Sequence, residues 1–281
     1  MSEANQPPLA IICGAGSLPF AVAEAARRQG RAVVLFGLKG WADPARTAAY
    51  PNHWIRYGEL GRFCRIARRE GCRDVVLIGS LVRPTLWQIW PDLVALRVMP
   101  QVIRMLRGGD DHLLSGIMRI LENLGFHPIG AHEIAPEILM PEGVVGRIEP
   151  SAAERGDIAL GLALLAAIGE FDVGQATVVG GGHVLAVEAA EGTDEMLAQL
   201  AGLRRKGRIK STGGVLVKSP KPRQDRRIDL PAIGPRTIAA AAEAGLCGIA
   251  VVAGAAIVAE PERVAEAADR AEIFVIGVRQ D

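Results

Sequence analysis

Short apolar runs separated by helix-length stretches constrain this chain more than any other feature. Leu9–Cys13, Ala32–Phe36 and Val75–Ile78 are such runs. The first is followed by a helical pattern to about Gln29, and the third is preceded by one over Leu60–Glu70. Apolar runs alternating with helices imply parallel strands in a sheet covered by helices on both faces. The second half repeats the theme. An Ala/Leu-rich helix is expected over Ala152–Glu170. Strands follow at Gln175–Val179 and Val184–Glu188, joined by Gly180-Gly181-Gly182. Further strands are expected at Gly214–Val217, Ile249–Val252 and Ile273–Val278, with helices at Pro235–Ala244 and from Pro261. Proline opens the first of these two helices and Gly245 follows its end, the usual asymmetry of helix termini.

Between these halves, Trp87 to Leu124 reads as helical, with breaks expected at Pro100 and at Gly108-Gly109. Pro128 to Pro150 carries prolines at 128, 136, 141 and 150 and little periodicity, and reads as a linker. The expected organisation is therefore an N-terminal α/β domain over 1–133, a linker over 134–150 and a second α/β domain over 151–281.

Hydrophobic residues make up 49% of the 281 residues and charged residues 22%, so the chain can bury a core and disorder is not expected. A net charge of +1 and 4% aromatics argue against a nucleic-acid surface. Cys13, Cys64, Cys72 and Cys247 form no CxxC pair, so neither a disulfide framework nor a zinc site is expected. The polar start MSEANQPP does not resemble a signal peptide, and the longest apolar stretches are too short for a bilayer. The expected location is the cytoplasm.

Gly14-Ala15-Gly16-Ser17-Leu18-Pro19 follows a strand and opens a helix. Such a turn lets backbone N–H groups approach a phosphate, and Ser17 adds a hydroxyl. Pro19 stands where a dinucleotide fingerprint has its third glycine, and the next strand ends Phe36-Gly37-Leu38-Lys39 with no acid for a ribose, which disfavours NAD. A tight turn without ligand is the other reading. Gly79-Ser80-Leu81 ends another strand, placing Ser80 on the same rim or leaving it as a turn serine.

Trp87, Trp90 and the apolar residues from Leu93 to Leu106 are interspersed with Arg83, Arg97, Arg104 and Arg107. This segment is either a surface for acyl chains or a membrane interface, or a core helix with snorkelling arginines. Asp110-Asp111 precede an expected helix His112–Leu124 and read as Mg²⁺ ligands or as an N-cap. Glu191-Gly192-Thr193-Asp194 precedes a helix expected from Glu195. It reads as an N-cap at Thr193, or as an anion or metal site with Asp194 near a cation. Gln175 and Thr177 share one face of the neighbouring strand, bordering that site or facing solvent.

The segment Arg204–Arg227 holds ten cations and one acid, Asp225. Its second part, Lys218 to Arg227, is stiffened by Pro220 and Pro222, so it can hold a polyphosphate with little ordering cost. A lone carboxylate among cations stays ionised and can bind Mg²⁺, position water or act as a weak base, with Asp229 as a second ligand. A salt-bridge network that shapes the loop is the alternative.

Four motifs together carry a resemblance: Gly14 to Pro19, Gly109-Asp110-Asp111-His112-Leu113-Leu114, Glu191 to Asp194, and Gly214-Val215-Leu216-Val217-Lys218 through Lys221-Pro222, Gln224-Asp225, Arg227, Asp229-Leu230-Pro231 and Ile233-Gly234. They resemble the metal-dependent UDP-2,3-diacylglucosamine pyrophosphatase family of lipid A synthesis, the branch unrelated to calcineurin-like enzymes. The resemblance implies a Rossmann-like N-terminal domain plus a second α/β domain, with the glycolipid between them. It also implies Mg²⁺ dependence, an essential aspartate at Asp225, water attack at the lipid-side phosphorus, and release of UMP and 2,3-diacylglucosamine 1-phosphate. The expected catalytic residues are Asp225, Lys218 and Lys221, and the expected Mg²⁺ ligands Asp225, Asp194 and Asp229. Substrate contacts are expected from Gly14, Ala15, Gly16, Ser17, Leu18, Ser80, Leu81, Arg104, Thr177, Glu191, Gly192 and Thr193. The segments Val94–Leu106 and 152–170 are candidates for an apolar cleft. A UDP-linked diacylglucosamine lipid is the expected partner, at most with the inner membrane surface. A nucleotide-sugar transferase and a non-catalytic glycolipid-binding protein are the alternatives.

Overall fold

The computed structural model describes residues 6–80, 89–106, 110–171, 173–221, 225–227 and 230–279, with backbone alone at 104–106 and 110–114. The chain forms two compact α/β units. One comprises Met1–Pro136 with Asp225–Asp229, the other Glu137–Gln224 with Leu230–Asp281.

The first unit is built on β1 (Leu9–Cys13), β2 (Val33–Leu38), β3 (Asn52–Ile55), β4 (Asp74–Ile78) and β5 (His127–Pro128), in the order β3-β2-β1-β4-β5. Every neighbouring pair is parallel. Parallel strands need crossovers, and α1 (Leu18–Arg28), α2 (Pro44–Thr47) and α3 (Leu60–Arg69) supply them. Five of the six β2 residues are large and apolar, and all six are buried. Phe36 packs edge-on against Phe63 of α3, ring centroids 4.8 Å apart. The short polar strand β3 escaped the sequence reading because Asn52-His53-Trp54-Ile55 offers no apolar run. It lies on the sheet edge, where one face suffices.

Two helices follow, α4 (Leu93–Leu106) and α5 (Asp110–Asn123). Pro100 does not break α4 as expected. The helix is held by packing: Val94 sits so close to Gly61 of α3 that a Cβ at Gly61 would come within 2.7 Å of it, and Ala95 is buried. α5 starts at Asp110, not His112, so Asp110 lies within the helix. The expected break at Gly108-Gly109 lies outside the described residues.

The proline-bearing stretch around the expected linker carries secondary structure of its own. Its residues form β5, α6 (Ala131–Ile134), a 3₁₀ turn at Pro136–Ile138 and β6 (Gly143–Val145), an antiparallel partner of the last strand. Pro128 ends β5 and Pro136 opens the 3₁₀ turn, positions where a missing N–H costs little.

The second unit is a mixed six-stranded sheet. β7 (Ala176–Gly180), β8 (His183–Val187), β9 (Val215–Lys218), β11 (Gly248–Val252) and β13 (Phe274–Val278) join β6 in the order β6-β13-β11-β9-β7-β8, while β10 (Ala232–Ile233) pairs with β12 (Ile257–Val258). Helices α7 (Ala152–Ile168), α8 (Thr193–Arg205), α9 (Pro235–Glu243) and α10 (Pro261–Ala271) complete it. The β7–β8 turn has Gly181 and Gly182 at φ +61° and +76°, the left-handed pair a two-residue hairpin requires. Their N–H groups donate to the carboxylate of Asp157 on α7, at 3.0 and 2.7 Å, which explains a buried acid in an Ala/Leu-rich helix.

Candidate functional site

In the first unit, the turns after β1 and β4 meet at the point where strand order reverses, the usual crevice of a doubly wound sheet. Gly14 N–H donates to Ile78 O at 2.9 Å. Ala15 and Ser80 then exchange two backbone hydrogen bonds, both 2.9 Å. A Cβ at Gly14 would lie 2.8 Å from the Gly79 and Ser80 backbone, and one at Gly79 (φ +111°) would lie as close to Gly14 and Ala15. Gly14 is therefore glycine because another backbone fills its side-chain space. The N–H groups of Gly14 and Ala15, expected as phosphate donors, are spent on this bridge. Gly16, at φ +97° and open to solvent, keeps room for a ligand. Ser17 is the N-cap residue of α1, Leu18 its first residue, and the Ser80 side chain is exposed. Leu81 and the side chain of Arg104 lie outside the described residues.

In the second unit, Thr193 joins two buried charges. Its hydroxyl donates to Glu188 Oε1 at 2.8 Å and accepts from Lys218 Nζ at 3.1 Å. Lys218 also donates to Ala232 O at 3.2 Å, and Glu188 Oε2 accepts the Gln175 N–H at 3.0 Å. Lys218 is 5% exposed and Glu188 7%. Buried ions require partners, and these hold each other through a hydroxyl. The strand register sets this up. Lys218 lies opposite Ala176 on one side of β7, and Glu188 N–H bonds Ala176 O on the other.

At two positions the structure rules out one of the two alternatives. Thr193 is not the N-cap of α8: Gly192, at φ +81°, takes that position with no side chain to cap the first-turn N–H groups, and Thr193 is helical. Asp194, exposed, pairs with exposed Arg236 at 3.2 Å, and Glu191 is exposed one residue before the cap. Thr177 does not face solvent. It is fully buried and its hydroxyl donates to Ala186 O at 2.8 Å across the hairpin. Glu188, noted in the sequence only as a strand end, is the residue that completes this network.

Asp225 belongs to the first unit, not to the expected C-terminal domain. Arg227 clasps it. The guanidinium donates through Nη2 to Oδ2 at 2.7 Å and through Nε to Oδ1 at 3.0 Å, and the Arg227 N–H reaches Oδ1 at 3.1 Å. This clasp holds the Asp225 carboxyl below the usual carboxylate range, against the opposing effect of partial burial. Arg227 also donates through Nη1 to Glu122 Oε1 of α5 at 2.9 Å, and the two acids push its own pKa up. The expected depression is present, and one named arginine dominates it. Lys221 is half-buried, and Asp229 lies outside the described residues.

No group of three or more His, Cys, Asp or Glu side chains is placed to hold a metal among the described residues. The donor set of this chain fits a Mg²⁺ held through one ionised carboxylate and completed by phosphate oxygens and water. Among the described residues it offers no cage built from protein alone. No helix among the described residues is long and apolar enough to cross a membrane. A cavity of about 550 Å³ by Lys39, Asn52 and Trp54 is lined by none of the predicted site residues.

Comparison with known proteins covers both units. Residues 8–138 match the LpxI N-terminal domain and residues 141–276 the LpxI C-terminal domain. The chain is 42% identical over 272 residues to the UDP-2,3-diacylglucosamine pyrophosphatase LpxI of Caulobacter vibrioides, covering 96% of this chain and 97% of that protein. A solved UDP-glucose-4-epimerase from Stenotrophomonas maltophila, with bound NAD and formylated UDP-arabinopyranose, covers 74% of this chain and 64% of its own at 13% identity. Its TM-score of 0.28 is too low to bear on fold or ligand. With both domain models matched and a relative aligned nearly end to end, the chain belongs to the LpxI family.

Proposed function

We propose that this chain hydrolyses the pyrophosphate bond of UDP-2,3-diacylglucosamine, releasing UMP and 2,3-diacylglucosamine 1-phosphate, and that it works at the membrane surface where such a lipid resides. The observation that carries the reading is the match to both LpxI domains, with a relative of that named activity aligned over 96% of the chain. Within the chain, the ionised, clasped Asp225 supports it.

Asp225 is the residue proposed to hold Mg²⁺. When bound, the ion polarises phosphate oxygens and neutralises charge developing on them. A carboxylate below its usual range is a weak base but a ready ligand, so Asp225 serves as anchor and water-orienting group rather than as proton acceptor. Arg227 fixes the carboxylate from one side and leaves its remaining lone pairs for this role. Lys221 supplies positive charge to the pyrophosphate. Lys218 is a positioning residue: its ammonium is bonded to Thr193 and Ala232, so it holds the start of α8, whose first-turn N–H groups carry no side-chain cap and favour an anion. Asp194 and Asp229 are secondary candidates for the cation, while Gly16, Ser17 and Ser80 offer a polar rim in the first unit.

The test is incubation of the purified chain and Mg²⁺ with UDP-2,3-diacylglucosamine. Release of UMP with no added acceptor, abolished by chelation, supports the reading. UMP or sugar transfer only with an acceptor would identify a transferase, and binding without release a lipid-binding protein.

A further inference from the structure

We infer that the solvent face of α4 is a docking surface for an anionic lipid bilayer. The helix is apolar on two sides. Inward, Val94 and Ala95 pack on α3 and the body of the first unit. Outward, Leu93, Leu96 and Ile103 are 77%, 51% and 47% exposed, and Trp90 just before the helix is 61% exposed. At 100° per residue, Leu93, Leu96, Pro100 and Ile103 fall on one side of the helix, so these are not scattered surface residues but a stripe. A soluble helix with its outer face facing only water carries polar residues there.

Charge selects the partner. The fourteen residues of α4 contain Arg97 and Arg104 and no acid. Arg97 is exposed, and the acid just before the helix is Asp92, in a chain whose net charge is only +1. That acid is spent on the Val94 and Ala95 N–H groups at the start of α4 and on the Arg62 N–H of α3. Arg56 lies over the Trp90 ring, 5.4 Å from its centroid, adding a cation beside the aromatic. A basic apolar stripe flanked by an indole suits the boundary of acyl chains and anionic headgroups, where Trp and Arg are both favoured. The inference rests on the activity proposed above only for why a bilayer should be the partner: the substrate is anchored in one.

The test is co-sedimentation of the full chain with substrate-free vesicles, of phosphatidylcholine alone or with about a third phosphatidylglycerol. Binding to the anionic vesicles, weakened by salt, is expected. The double variant Leu93→Gln/Leu96→Gln should bind about tenfold more weakly, and Arg97→Glu about fivefold, with unchanged circular dichroism. Absence of binding by the unaltered chain, or equal binding by the double variant, overturns the inference. So does a double variant that binds vesicles normally but has a raised KM for detergent-dispersed substrate, since the face would then belong to the substrate's acyl chains. Vesicles without substrate make the outcome independent of whether UMP is released.

Discussion

Asp225 and Glu188 are both carboxylates tied to a cation, the first directly and the second through a hydroxyl, and they are built for different work. Asp225 is partly exposed and clasped directly by an arginine two residues away. Glu188 is buried and reaches Lys218 through the Thr193 hydroxyl. A buried pair shielded from water contributes by fixing strands and a helix start, because breaking it strands a charge. A solvent-reachable carboxylate kept ionised by a flat guanidinium can still accept a ligand on its free side. The contrast teaches that charge alone does not mark chemistry. What distinguishes the two is whether a second ligand can reach the oxygen atoms.

The sharpest way to break this comparison is Asp225→Asn. Turnover should fall by about three orders of magnitude or more, because the proposed metal anchor is lost, while the thermal midpoint falls only slightly with the loss of the Arg227 clasp. UMP release and calorimetry on one preparation check both halves. An equal loss of stability and activity would make Asp225 structural like Glu188. Lys218→Met should do the opposite in kind: about 3 kcal/mol of stability lost, because Glu188 is left buried without its cation, as read by denaturant titration. Thr193→Val removes only the bridge and should cost about 2 kcal/mol, with Thr193→Ser recovering most of it.

The smallest effect sharpens the contrast by pH. Asp225 has its pKa lowered in the fold, so its contribution to stability is present above the unfolded carboxylate value and is lost as pH falls through the lowered folded one. If turnover needs the ionised form, activity should persist into acid below the usual carboxylate range. Arg227→Gln should move the acid limb of kcat/KM upward, toward about pH 4, by restoring an ordinary carboxyl. An unmoved limb would show that another group sets it.

The two sites also differed in how far they could be read from the sequence. Asp225 stood out because its partner is local: one acid among ten cations in a segment stiffened by prolines. Even there, nothing in the local pattern sets Arg227 apart from Lys218 and Lys221, and only the fold shows which cation clasps the carboxylate. Glu188 was invisible for the opposite reason. Its partners come from a helix start and from a strand thirty residues on, and only strand register brings them together. The glycine turn shows a third case. Gly14 was legible as a glycine that something must approach, but the approaching group is the Gly79-Ser80 backbone.

By itself the sequence determined the α/β layers, most strand and helix positions and the family, because buried parallel strands need apolar runs and the motifs are long. Tertiary structure alone decided that Pro100 stays within a helix and that residues of the expected linker pair as strands. It also decided that Asp225 groups with the first unit and that Thr193 bridges two buried charges. The physical reason is one of range. Apolar periodicity and turn chemistry act over a few residues and are written locally. The partner of a buried charge, or the packing that sustains an unfavourable proline, is supplied by segments far away in the chain.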